Sequence, residues 1–274
     1  ARRLVVCVGD GNTYGLNAGG NQNTYPAALE RELARLSGGE DWIVFNAGLP
    51  GYTTHETLEL IKLRLLKLRP DVILSMSLAN DFEQVIQYLD GQLDYDFYPL
   101  RMAPLSATTL NDLLMRSVLF GRFAQRRRAR IPDDKGGRWP MTAYGEATER
   151  GSKLYLDNIA LAASLCARSG VALMLVDQPI HYSACSYGAT KIASVERLRA
   201  EVQRAADAMG VPVLAAHGRF DWEGVEARGD LLLSSNETAL GRVGYEKLAA
   251  VLAPQVLAAH AAWSSRAAAP MDRP

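Results

Sequence analysis

The chain has 274 residues, of which 48% are hydrophobic and 22% are charged, a composition typical of a globular protein with a large core. Its 30 basic and 30 acidic side chains cancel, which argues against a dedicated nucleic-acid or membrane-surface binder. The three cysteines have neither the spacing of a metal site nor an even disulfide framework. No apolar run approaches the ~18 residues that a membrane span needs. We therefore expect no metal, no cofactor, no nucleic acid and no membrane partner.

The sequence shows no signal peptide. A cytoplasmic location is therefore favoured, unless a segment that once preceded Ala1 has been removed. The abundance of Ala and Arg favours a bacterial source, in which the formal glycosylation sequon beginning at Asn236 carries no meaning.

The first stretch of regular structure predicts where a site lies. Residues 4–8 form an apolar, largely β-branched run that ends abruptly in Gly9, Asp10, Gly11 and Asn12. Such a run predicts a buried parallel strand that passes into a tight turn. In an open α/β sheet, ligands bind outside the carboxyl ends of the strands. We therefore expect Asp10, Gly11 and Asn12 at the ligand-binding edge.

Strands and helices alternate along the rest of the chain. Further strands are predicted over residues 42–46, 71–77, 171–177 and 211–214. Helices are predicted over residues 26–36, 54–69, 146–168, 190–209 and 241–262. This alternation predicts a single three-layer α/β/α domain over residues 1–264, with a five-stranded, mostly parallel sheet and helices on both faces.

Local signals refine this prediction. Thr24 is expected to cap the second helix, and Thr53 with Glu56 matches a capping box. Pro212 cannot donate to a strand ladder, so the fifth strand is predicted at a sheet edge. Three stretches fall outside the alternation. The first is an insertion over residues 83–150, which could form a lid and holds a short predicted helix at 109–123. The second is a long loop that reaches residue 236, and the third is a flexible tail over 265–274.

Four blocks together resemble the SGNH (GDSL-type) hydrolases. Residues 9–15, GDGNTYG, resemble the family's first block, Gly-Asp-Ser-Asn-Thr-Tyr-Gly. Residues 46–51 resemble the second block, and residues 78–81, Leu-Ala-Asn-Asp, resemble the third, Gly-x-Asn-Asp. Residues 239–245 fall where the family has His-x-x-x-x-Gly-Tyr. The resemblance implies an SGNH-hydrolase-like, flavodoxin-like domain, with the blocks in the family's order across nearly the whole chain.

The same resemblance implies that the catalytic triad is lost. In the family, a serine attacks an acyl carbonyl, a histidine takes its proton and an aspartate orients the histidine. The serine position is Gly11, the histidine position is Ala239 and the aspartate position is Asn236. A chain with these residues is expected to be a pseudo-hydrolase that does not carry out ordinary serine hydrolysis.

The family's oxyanion hole is retained in the sequence. Its donors correspond here to the backbone N–H of Gly11, the backbone N–H of Gly48 and the side chain of Asn80. Preorganised donors bind a carboxylate or a polarised carbonyl whether or not a nucleophile is present. We therefore expect an acyl, carboxylate or sugar-ester ligand at these residues, with Asp10 and Asn12 beside them.

Two other functions remain open. The first is an esterase, acyltransferase or lyase-like enzyme that uses non-standard catalytic residues. Cys185 with His181 and Asp177 has the side chains of a nucleophile, a base and an orienting carboxylate, and His55 and Glu237 are further candidates. Each also has an ordinary structural explanation as a surface or helix residue. The second is a scaffold that binds a protein partner through its insertion. His217 and His260 are expected to be structural.

Overall fold

The computed structural model of the chain describes residues 2–82, 141–182, 189–226, 231–233 and 238–268. The strands of its main sheet are β1 (Arg3–Gly9), β2 (Trp42–Asn46), β3 (Val72–Met76), β4 (Ala172–Asp177) and β5 (Val213–Ala215). All are parallel, in the order β2-β1-β3-β4-β5. The predicted five-stranded sheet is confirmed, and β5 lies at its edge as the proline predicted.

Helices pack on both faces of this sheet. They are α1 (Gly11–Tyr14), α2 (Tyr25–Leu36), α3 (Thr54–Leu63), α4 (Ala79–Asp81), α5 (Met141–Arg168), α6 (Ala189–Met209), α7 (Trp222–Glu226) and α8 (Arg242–Ala268). Short 3₁₀ turns cover Asn21–Asn23, Leu65–Leu68 and His217–Arg219. The three-layer α/β/α class is therefore confirmed.

Alternation along the central strands divides the interior into two cores. Val5 and Cys7 face a core formed with α2 and α8, whereas Val6 and Val8 face a core formed with α3, α5 and α6. Each of these four side chains has no exposed surface. A strand that is buried on both faces has a continuous run of apolar residues in its sequence, which is why β1 could be predicted.

The predicted helix caps are present. The hydroxyl oxygen of Thr24 accepts the N–H of Ala27. At the start of α3, the N–H of Thr53 donates to Glu56 Oε2 over 2.7 Å and Thr53 accepts a helix N–H in return, which is the reciprocal capping box. These caps fix where the chain enters α2 and α3 after the sheet edge.

The cysteines within the described ranges lie in the interior. Cys7 and Cys166 have no exposed surface. Burial raises the pKa of each thiol to about 12, because the thiolate is poorly solvated there. Neither thiol is therefore a nucleophile near neutral pH.

Two helix boundaries beside the predicted insertion and tail differ from the prediction. α5 begins at Met141, so the insertion ends before 141 and not at 150. Its other residues, 83–140, with the predicted helix and lid, lie outside the described residues. α8 continues to Ala268, past the predicted start of the tail at 265, because Ala-rich sequence favours helix. The tail beyond 268 also lies outside the described residues.

A hairpin occupies part of the region predicted as a loop. Strands β6 (Leu231–Leu233) and β7 (Thr238–Leu240) pair antiparallel. Each strand has only three residues, which is too short for a periodicity signal. The hairpin matters because β7 lies beside α1 at the end of β1.

One helix within the described ranges, Arg242–Arg266, is long and apolar enough to cross a membrane by length and composition. The sequence analysis, which looked for an uninterrupted apolar run, did not predict this helix as a candidate span because polar residues interrupt its apolar stretch. Packing buries 33% of its most apolar stretch. Side chains with no exposed surface lie along the face toward α2, namely Tyr245, Leu248, Ala249, Leu252, Ala253 and Val256.

The turn after β2 packs directly against the backbone of α1. A Cβ built on Gly48 would lie 2.4 Å from the backbone nitrogen of Tyr14 and 2.6 Å from the carbonyl carbon of Thr13. Both atoms belong to main chain, so they cannot move aside cheaply. A residue without a side chain is therefore required at this contact.

We predict that Gly48→Ala lowers the free energy of unfolding by about 1–3 kcal/mol, the usual cost of forcing a methyl into packed structure. Gly218→Ala is the matched control, since a Cβ there meets no atom within 4 Å. Urea unfolding of both variants measures the difference. Equal stabilities would show that the close approach of Gly48 to α1 is not a constraint.

Candidate functional site

The candidate site lies at the carboxyl edge of the parallel sheet. The register places Gly9 of β1 beside Met76 of β3, and Cys7 beside Asn46 of β2. The turns that follow these three strands therefore meet at one edge, as expected for an open α/β sheet. They carry the first three sequence blocks.

Asp10 and Asn12 bind protein groups in this turn. Asp10 has no exposed surface, and its Oδ1 accepts the N–H of Asn12 over 2.9 Å as the cap of α1. Asn12 Oδ1 accepts the N–H of Leu240 over 3.1 Å. These contacts hold the first turn to β7. A direct contact of either side chain with a ligand stays a prediction.

Gly11 begins α1 and has no side chain. The first backbone N–H groups of any helix have no intrahelical acceptor, so the Gly11 amide has no acceptor within α1. The carbonyl of Gly11 accepts the N–H groups of Gly15 and Leu16, which closes the turn behind it. Gly15 adopts φ +92°, the left-handed conformation that ends this short helix.

The Gly48 amide differs from the prediction. Its N–H donates to Asn46 Oδ1 over 3.0 Å, while Asn46 Nδ2 donates to the Tyr14 carbonyl over 3.3 Å. The Gly48 amide is therefore not a free donor in this structure, because an amide has one hydrogen and Asn46 takes it. The convergence of the Gly11 and Asn80 donors stays a prediction. An asparagine that accepts the N–H two residues later is a local turn preference.

Asn80 is almost buried, with 7% of its surface exposed. Its Nδ2 donates to the carbonyl oxygen of Tyr52 over 3.0 Å. A carboxamide has two N–H bonds, and this contact uses one of them. The contact orients the side chain and leaves its second hydrogen for another acceptor.

Asp81, the next residue, is a buried carboxyl. Both of its oxygens lie 3.0 Å from the backbone nitrogen of Thr54, and the Thr54 hydroxyl donates to Oδ1 over 2.6 Å. Burial raises the pKa of Asp81 to about 7, although the donors of Thr54 act in the opposite direction. Asp81 therefore ties α4 to the start of α3.

The closing block lies beside the first block, as the resemblance implied. β7 contains Ala239 and contacts α1, and Asn17 forms a bridge with Gly241. The positions of the family's nucleophile and base are thus brought to the same edge. Asn236 and Glu237 lie outside the described residues.

Two of the residues proposed as substitute catalysts, His181 and Asp177, lie within the described ranges and pair with other side chains. His181 pairs through Nε2 with Glu226 and packs edge-on against Trp222. Asp177, its suggested partner, forms an ion pair with Arg199. Each of these two side chains thus has another partner among the described residues, and their suggested partnership with Cys185 stays a prediction. Cys185 lies outside the described residues.

The other histidines were also placed. His55 lies half-buried in the first turn of α3, as predicted. His217 Nδ1 accepts the N–H of Ile180, and burial with the nearby guanidinium of Arg199 lowers its pKa to about 4. His260 packs edge-on against Trp42. Both histidines thus contact other parts of the fold, and the purely structural role expected of them stays a prediction.

Sequence reasoning missed Gln178. Its Nε2 donates to Asp10 Oδ2 over 2.8 Å, and its Oε1 accepts the N–H groups of Leu78 and Ala79. The signal available was its position directly after β4, at the same sheet edge as the predicted site. Within the described ranges, no group of three metal-ligating side chains is found.

The buried carboxyl of Asp81 predicts a pH-dependent stability. Its pKa rises from 3.8 to about 7 on folding, so the folded chain keeps a proton that the unfolded chain loses in this range. We expect the free energy of unfolding to fall as the pH rises from about 4 to about 7. Asp81→Asn should flatten this fall. Asp157→Asn, at an exposed ion pair, is the control.

Urea unfolding at the two ends of that range measures the effect. A fall of the same size in the parent, in Asp81→Asn and in the control would contradict a raised pKa at Asp81.

With the geometry established, comparison with known proteins identifies the fold. No protein-family model and no curated protein matches the chain. Among solved structures, it is similar to a lipase/acylhydrolase from Enterococcus faecalis, with 17% identity, a TM-score of 0.55, and 93% of this chain and 95% of that chain covered.

Two further structures give the same result. TesA has 14% identity and a TM-score of 0.56, with 94% of this chain and 99% of that chain covered. The acetyl xylan esterase AlAXEase has 12% identity and a TM-score of 0.55, with 92% of this chain and 99% of that chain covered. The chain therefore has the fold of the SGNH (GDSL-type) hydrolases, as its four sequence blocks predicted.

Proposed function

We propose that this chain binds the carbonyl or carboxylate of an acyl or sugar-ester ligand without hydrolysing it. The observation that carries the proposal is the residue at the start of α1. Gly11 stands at the position of the nucleophile, and it offers a backbone N–H but no hydroxyl. A site with this residue keeps the means to bind an oxygen and lacks the means to attack a carbon.

The base position supports the same function. Ala239, in β7 beside α1, has only a methyl group where the resemblance implies a histidine. Asn236 at the third position carries no charge. Acyl-enzyme formation needs a nucleophile and a group that takes its proton, and neither position provides one.

Two donors support the binding part of the proposal. They are the Gly11 amide at the start of α1 and the second N–H of Asn80, whose first N–H is used by Tyr52. Fixed donors stabilise charge on an oxygen because they need no reorganisation when it binds. Gly48 would become a third donor if the side chain of Asn46 turned away.

Apolar side chains at the same edge favour an acyl compound. Tyr14, Leu16 and Leu49 are 48%, 50% and 38% exposed. Leu16 is hydrogen-bonded to the carbonyl of Gly11, and Tyr14 ends the same short helix. The titles of the similar structures name an acylhydrolase and an acetyl xylan esterase, so acyl compounds are the first ligands to test.

We predict that the chain binds butyrate and that Asn80→Ala weakens the binding at least about tenfold, since a hydrogen bond to a charged group contributes about 1.5–3 kcal/mol. Gln255→Ala is the control, because it removes a carboxamide that binds backbone at β5, at the other end of the sheet order. Calorimetric titration measures both. Unchanged binding in Asn80→Ala would exclude this residue from the site.

A further inference from the structure

The side chain of Gln178 connects the turns that follow three strands. Its Nε2 donates to Asp10 after β1, and its Oε1 accepts the N–H groups of Leu78 and Ala79 after β3, each over 2.9 Å. Gln178 itself follows β4 and is only 1% exposed. Water does not compete for these hydrogen bonds, so they hold the three turns at a fixed separation.

The partners also fix which way the carboxamide points. Two backbone N–H groups require an acceptor, and the Asp10 carboxylate requires a donor. An ionised carboxylate in place of Gln178 would satisfy the N–H groups but repel Asp10. A hydrocarbon would leave all of them without partners. A carboxamide of this length satisfies both sides at once.

Gln178 is held in turn from α6. Arg199 Nη2 donates to the Gln178 carbonyl over 2.7 Å, and the Arg199 guanidinium pairs with the Asp177 carboxylate. The Arg199 side chain is only 9% exposed. Arg199 therefore anchors the backbone at the end of β4, while the side chain of Gln178 reaches the turns after β1 and β3.

We propose that Gln178 is a positioning residue, which sets the separation between the Gly11 amide and the Asn80 carboxamide. Asp10 directly precedes Gly11, and Ala79 directly precedes Asn80. Each hydrogen bond of Gln178 therefore acts one residue away from a donor of the candidate site. The inference rests on the proposed function, in which both donors bind one ligand oxygen.

The substitution Gln178→Glu tests this role through its dependence on pH. Two buried carboxylates that face each other share one proton, and they repel when that proton is lost. We expect the backbone amide signal of Gly11 and the side-chain amide signal of Asn80 to shift together as the pH rises from about 5 to about 8. Nitrogen–proton correlation spectra measure both signals without any ligand.

Other titratable groups face the same region. Asp81, Tyr155 and Tyr25 interact electrostatically with Asp10. Glu56 interacts with Asp81, and Arg199 interacts with Tyr155. All of these groups are present in the parent protein, so the parent's own pH profile is subtracted. The control is Gln203→Glu, which places the same new carboxylate beside Asp207 at an exposed position on α6. It should leave both signals as in the parent.

A second substitution should rescue the first. In the double variant with Asp10→Asn and Gln178→Glu, the amide introduced at position 10 donates to the carboxylate introduced at position 178. We expect this variant to lose the extra pH dependence. In Gln178→Glu, butyrate binding should weaken about tenfold between pH 6 and pH 8, which corresponds to about 1.4 kcal/mol. In the double variant, the affinity should change by no more than about twofold over the same range.

The outcomes separate the two proposals. If the Leu78 and Ala79 amides shift while Gly11 and Asn80 do not, Gln178 does not position the donors and the inference is overturned. If the signals behave as expected but no variant or parent binds butyrate, the proposed function fails and the positioning role stands. If Gln178→Glu does not fold at pH 8, the signals are compared over the part of the pH range in which it folds, and Gly11 and Asn80 signals that do not shift there overturn the role.

Discussion

The candidate site depends on the close approach of backbone turns at the carboxyl edge of a parallel sheet. Gly48 touches the main chain of Thr13 and Tyr14 with no room for a methyl group. Asp10, with no exposed surface, caps the helix that carries those residues. This contact therefore fixes the position of α1, the helix that begins at Gly11. Asn80 is held separately, through the hydrogen bond from its side chain to the carbonyl of Tyr52.

The fold was predictable because its signals are local. Apolar runs marked the strands, and Thr53 with Glu56 marked the start of α3 through contacts three residues apart. The pairing of Asn46 with the Gly48 amide is equally local and could have been predicted from turn chemistry. It was missed because the resemblance implied a free donor at Gly48.

Other features of the site were not readable from the sequence. Gln178 bonds to Asp10 across 168 residues, a pairing that neither periodicity nor a turn signal reveals. The ion pair of Arg199 with Asp177 likewise joins α6 to β4, and it gives Asp177 a partner other than His181. Contacts distant in sequence are set by how the layers pack. They decide which polar residues hold the turns and which remain for a ligand.

The most direct test of a binding site without its triad is hydrolysis of p-nitrophenyl butyrate by the parent and by the triple variant Gly11→Ser, Asn236→Asp and Ala239→His. Donors without a triad retain about 10³–10⁴-fold catalysis over water, so the comparison between the two proteins decides. We expect the parent to stay near that low rate and the triple variant to exceed it strongly. Rapid hydrolysis by the parent, with no gain in the triple variant, would contradict a non-hydrolytic site and make Cys185 the next residue to replace.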